Sequence, residues 1–96
     1  MRELTPQEAA DRMIFLSEEQ TRLSEEFADL EEKKLKHFAA NRESFKSDKA
    51  CDRAWEATED GIRSMRIHLK LKDLAKELSV LKVFLRHEEN KARNLY

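Results

Sequence analysis

Asn41-Arg42-Glu43-Ser44-Phe45-Lys46-Ser47-Asp48 is the best candidate turn in this 96-residue chain. It gathers two serines, an asparagine and an aspartate between long stretches with helical periodicity. Ser47 can cap a following helix, and Asp48 then sits in the first turn, where a carboxylate meets the positive end of the helix dipole. Helices joined by so short a connection lie side by side and antiparallel. A single continuous helix is the alternative, because the stretch has no glycine.

On the N-terminal side, Thr5 and Glu8 have the spacing of a capping box, and Pro6 falls at the first helical position, where its missing N–H costs nothing. Leu4 precedes the cap and can staple against Ala9. Met13, Leu16, Gln20, Leu23, Phe27 and Leu30 then recur at steps of three and four, the pattern of a heptad seam. Lys34 stands where an apolar residue is due, so the seam is expected to loosen there. No helix breaker occurs between Pro6 and Glu43, a length of about 57 Å at 1.5 Å per residue.

On the C-terminal side, Cys51, Trp55, Thr58, Ile62, Met65 and Leu69 form one seam. Leu71, Leu74, Leu78, Leu81 and Leu85 form a second, with a slip in register between Leu69 and Leu71. Ile67, Val80, Val83 and Phe84 lie off both, a wider apolar face than one partner helix covers. Gly61 costs about 1 kcal/mol against alanine inside a helix, so it marks a kink or a close crossing. The polar tail after Glu88 is expected to fray. The pattern predicts one all-α domain, a long antiparallel hairpin with coiled-coil character: a helix over 6–43, a turn over 44–47, and a helix over 48–92 with a kink at 61 as a variant.

One glycine, one proline and 41% charged residues fit that fold and little else. Two slender helices have no interior layer, and chains this small bury little surface alone. A homo-oligomer is therefore expected, associated through Ile62, Met65, Leu69, Leu71, Leu74, Leu78, Leu81 and Leu85. The lone Cys51 fits a reducing cytoplasm. No apolar run approaches the length of a membrane span, and the first residues do not resemble a signal peptide.

The net charge is −1, but it is unevenly spread. Residues 1–32 hold ten acids and three bases, residues 33–53 seven bases and three acids, and residues 61–96 nine bases and four acids. The bases Lys33, Lys34, Lys36, Arg42, Lys46, Lys49 and Arg53 gather at the bend of a hairpin, interleaved with Phe38, Phe45 and Trp55. Cations neutralise phosphates and exposed aromatics stack on unpaired bases, a combination suited to single-stranded nucleic acid. Equally, the aromatics match the buried stripe, and the lysines could be ordinary solvated positions. Arg63, Arg66, Lys70, Lys72, Lys76, Lys82 and Arg86 lie along the second arm, where the acidic first arm can face them. That first arm could also mimic nucleic-acid charge. His37, His68, His87 and Cys51 have no metal-ligand spacing, and no nucleophile or phosphate-binding loop is present. No enzyme activity, cofactor or metal is expected.

The runs Lys36–Ala40, Ser47–Thr58 and Leu74–Lys82 look like those of small all-helical bacteriophage proteins. In these, an acidic first helix leads through a lysine–aromatic stretch and a short serine-containing turn to a leucine-rich second helix. The outline also resembles the UvsY-like recombination mediators of phages, from which this chain departs in its shorter length and more acidic first arm. The resemblance implies a non-enzymatic recombination or replication accessory in the cytoplasm of an infected bacterium. Its partners would be single-stranded DNA, a single-strand binding protein or a recombinase. The alternative is a helical module that binds only protein, as a host-factor or defence-complex inhibitor or an assembly coiled coil.

Overall fold

The computed structural model describes residues 4–94. Arg2 and Glu3, counted in the charge of the first arm, and the last two residues of the tail lie outside that range. Helix α1 spans Pro6–Asn41, a short 3₁₀ turn spans Arg42–Ser44, α2 spans Asp48–Glu56 and α3 spans Glu59–Asn94. No strand occurs among the described residues. The fold is an all-α helical hairpin, an extended rod of 69 × 24 × 19 Å.

The start of α1 is made by the capping box. Thr5 Oγ1 accepts from the Glu8 N–H at 3.1 Å, and the Thr5 N–H donates to Glu8 Oε1 at 3.4 Å. At the far end, α1 stops at Asn41. The Asn41 side chain folds back to donate to the His37 carbonyl at 3.0 Å. Ser47 caps α2, its hydroxyl accepting from the Ala50 N–H at 3.1 Å.

The core is one row of side chains deep. Ala9, Leu16, Leu23 and Leu30 recur every seven residues on α1 and meet Ile67, Leu74, Leu78 and Leu81 of α3. Met13, Phe27, Leu71, Phe84 and Leu85 pack half-buried at its margins. Burying each large aliphatic side chain contributes about 1.5–3 kcal/mol, so this single zipper supplies most of the apolar driving force.

The second arm differs from its expected form in three ways. First, it breaks at Ala57–Thr58, not at Gly61, and α3 then runs on to Asn94. Thr58 caps α3: its hydroxyl accepts from the Gly61 N–H at 3.0 Å and donates to the Trp55 carbonyl at 2.6 Å. Second, the break resets the phase of the arm. Trp55 and Ser64 are both buried, yet nine residues of unbroken helix at 3.6 per turn would set them on opposite faces. With the phase reset, Ile67 turns inward, while Met65 and Leu69 are more than half exposed. Third, the surface expected to join copies is mostly spent within the chain. Leu74, Leu78 and Leu81 are buried against α1, Leu71 and Leu85 are half-buried, and only Ile62, Met65 and Leu69 stay open.

Gly61 is a close approach between the two pieces of the arm. A Cβ there would overlap the Trp55 carbonyl oxygen and lie 2.8 Å from the Glu56 Cα. Both neighbours are backbone and cannot step aside.

Two stability measurements check this register. By urea unfolding, Ile67→Ala is expected to cost about 2–4 kcal/mol and Leu69→Ala less than about 1. A larger loss at Leu69 would contradict the assignment. Gly61→Ala is expected to destabilise by about 1–3 kcal/mol, despite the better helix propensity of alanine.

Candidate interaction surfaces

The bend brings the predicted bases together but spends most of them. Lys34 Nζ lies 3.0 Å from Asp52, Lys36 Nζ lies 3.3 Å from Glu32, and Lys33 Nζ lies 4.0 Å from Asp60. Arg42 pairs with Asp48 and donates from Nη1 to the Phe45 carbonyl at 2.9 Å. Hydrogen bonding to Asp52 raises the pKa of Lys34 above the ordinary lysine value. Lys34 falls where α1 passes from facing α3 to facing α2, which is why a cation replaces a leucine in the seam. Lys46, Lys49 and Arg53 are exposed and have no ion pair among the described residues.

The aromatics of the bend are structural. Trp55 is 6% exposed and its ring lies 5.5 Å from that of His37. Phe38 and Phe45 are half-buried. Trp55 is therefore not free to stack on a base, and the phenylalanines only in part. Phe27 similarly packs its ring 6.1 Å from His68.

Along the rod, one flank of the α1–α3 seam is closed by charge. Arg12 pairs with Glu77 at 2.9 Å and Glu26 with Arg63 at 2.8 Å. Between them, Glu19 bonds Arg22 at 2.8 Å and feels the field of Lys70. Arg12, Glu19 and Glu26 lie seven residues apart, as do Arg63, Lys70 and Glu77, so the ladder follows the heptad and sets the antiparallel register. The hydrogen bonds from Arg22 and Arg63 hold the Glu19 and Glu26 carboxyls below their ordinary value of 4.5.

The outer surface of α3 is of another kind. Ile62, Met65, Leu69, Val80 and Val83 are exposed, the last three by 53%, 67% and 65%. Arg66, Lys72, Lys76, Lys82 and Arg86 stand among them, exposed and without an ion pair among the described residues. Sequence periodicity registers this surface only as excess width, because it assigns the leucines and the isolated aliphatics to one wide face.

Among the described residues, no cluster of histidine, cysteine and acidic side chains could hold a metal ion. Hollows in the surface are open grooves, such as that among Leu4, Asp11, Arg12, Glu77 and Leu81. No helix among the described residues is long and apolar enough to cross a membrane. Comparison with known proteins gives no match: no family model, curated protein or solved structure matches the chain.

The ion pairs fix a pH dependence. Glu19 and Glu26 bind protons less readily folded than unfolded, so their contribution is complete above about pH 4.5 and is lost as pH falls through their lower folded values. Lys34 acts at the other limit: its contribution is complete below its unfolded value of 10.5 and is lost as pH rises beyond its higher folded value. Thermal melts followed by circular dichroism are expected to be level between these limits and to fall in acid. Glu26→Gln is expected to flatten the acid limb.

Proposed function

We propose that this chain is a non-enzymatic, protein-binding helical module, of the kind that accompanies phage recombination or replication. The outer surface of α3 receives an acidic, amphipathic segment of a partner protein. One observation carries this reading: five aliphatic side chains lie open on α3 among five cations that have no intramolecular partner among the described residues. Apolar anchors among mostly positive charge, with Asp73 the exposed acid on the same surface, suit an acidic protein helix, with the anchors giving affinity and the charge giving approach and register. Single-stranded DNA asks instead for open aromatics, and α3 offers aliphatics. By the phage resemblance, the partner is a single-strand binding protein or a recombinase.

A second reading keeps direct DNA contact at the bend, because Lys46, Lys49 and Arg53 are exposed and unpaired among the described residues. Three cations would give weak, salt-sensitive binding to phosphates without base preference.

Calorimetry with a purified bacterial single-strand binding protein and a strand-exchange recombinase separates the two. The module reading expects binding that weakens at least tenfold in a Leu69→Glu, Val80→Glu, Val83→Glu variant and is unchanged in a Lys46→Ala, Lys49→Ala, Arg53→Ala variant. The second reading expects the reverse with a labelled oligonucleotide at low salt. Binding of neither protein would leave the module reading unsupported.

A further inference from the structure

The two flanks of the α1–α3 seam are not alike. One is laced by the ion-pair ladder. The other is almost neutral on its α1 side, in a chain that is 41% charged. On α1 this second flank is the row Ile14, Ser17, Thr21, Ser24 and Ala28, spaced by threes and fours beside the buried row, with Leu35 one heptad further on past Glu31 and Glu32. Ile14 is 60% and Leu35 72% exposed. The Thr21 hydroxyl donates back to the Ser17 carbonyl at 3.1 Å and is thus satisfied within α1. On α3 the matching flank carries Met65, His68, Lys72, Ala75 and Ser79, so it is basic where the α1 row is neutral, and the Ser79 hydroxyl turns back to the Ala75 carbonyl at 3.0 Å. Both elements thus show a second heptad face that the hairpin leaves uncovered.

Charge borders this face on both sides with opposite sign. On the α1 side, Asp11, Glu18 and Glu25 form its outer edge. On the α3 side, Lys72, Lys76 and Lys82 are exposed. Arg12 opposite Glu77 and Glu26 opposite Arg63 fix the heights of the two helices. In that register Glu18 lies level with Leu71 and Lys72, and Asp11 with Leu78 and Ser79.

We propose that this face binds a second copy of the chain, with the twofold axis along the rod and the two bends at the same end. Rotation about that axis lays the acidic edge of each α1 on the basic edge of the other α3. The second face-to-face arrangement, with the hairpins head to tail, lays acid on acid and base on base. The resulting four-helix bundle has antiparallel neighbours throughout, a favoured packing. The row from Ile14 to Leu35 is about 32 Å long at 1.5 Å per residue, and the rod is 24 Å wide. The face therefore offers about 770 Å² per copy, close to the roughly 800 Å² per partner of a standard interface. The dimer covers Met65 and engages Lys72, Lys76 and Lys82, leaves Ile62, Leu69, Val80 and Val83 open on each side, and sets two copies of Lys46, Lys49 and Arg53 together at one end.

Light scattering on the full chain gives the mass, and pulsed electron resonance gives the orientation. Spin labels are placed at Ser44→Cys in a Cys51→Ala background. The dimer is expected, with a label separation far shorter than the 69 Å rod. Thr21→Glu with Ser24→Glu is expected to weaken dimerisation at least tenfold while circular dichroism reports an intact hairpin. Glu18→Lys is expected to weaken it, and adding Lys72→Glu to restore it. A monomer at high concentration, labels separated by the length of the rod, or a dimer indifferent to Thr21→Glu with Ser24→Glu would overturn the proposal.

Discussion

The contact of Ala9, Leu16, Leu23 and Leu30 with Ile67, Leu74, Leu78 and Leu81 is the constraint on which this molecule depends. It is a zipper with no second layer behind it. Everything else is arranged around its heptad: the ladder of ion pairs on one side, the neutral row on the other, and the exposed aliphatics of α3 at its back. A chain of this size gains little beyond that contact. Both open faces stand out in such a chain, since single exposed aliphatics are ordinary but aligned ones are not.

Charge in this protein does two separate jobs. Where acids and bases stand at seven-residue steps across the seam, they pair and fix the antiparallel register. At the bend, the same residue types close a turn that has no glycine: Arg42 ties Asp48 to the Phe45 carbonyl, and Lys34 holds Asp52. Only where a base has no carboxylate within reach does it stay unpaired among the described residues. That leaves the outer run of α3 and three positions at the bend.

Much of the fold was legible in the sequence. The capping box at Thr5, the seam from Leu16 to Leu30 and the turn capped by Ser47 all rest on local spacing, and local spacing is what a sequence displays. The break at Ala57–Thr58 was also written there, as a threonine followed by Glu59 and Asp60, a helix start with acids in its first turn. It was hidden because Trp55, Thr58 and Ile62 happen to continue a three–four rhythm. Missing it carried the wrong phase forward and put Leu69 inside in place of Ile67. The interaction surfaces were less legible. Whether a lysine is free depends on which carboxylate the folded chain brings beside it, and that is a long-range fact: Lys34 meets Asp52 and Arg63 meets Glu26. The aromatics of the bend posed the same problem, since Trp55 has the sequence neighbours of a stacking residue and the position of a core one.

Native-state hydrogen exchange tests the central contact most directly. If the single zipper holds the molecule together, the amides of Leu16–Leu30 and Ile67–Leu81 exchange slowest and share one opening free energy, while those of α2 open earlier. Strong protection of α1 with α3 exchanging at the rate of an isolated helix would contradict the account, because two arms that depend on the same row of side chains cannot open apart.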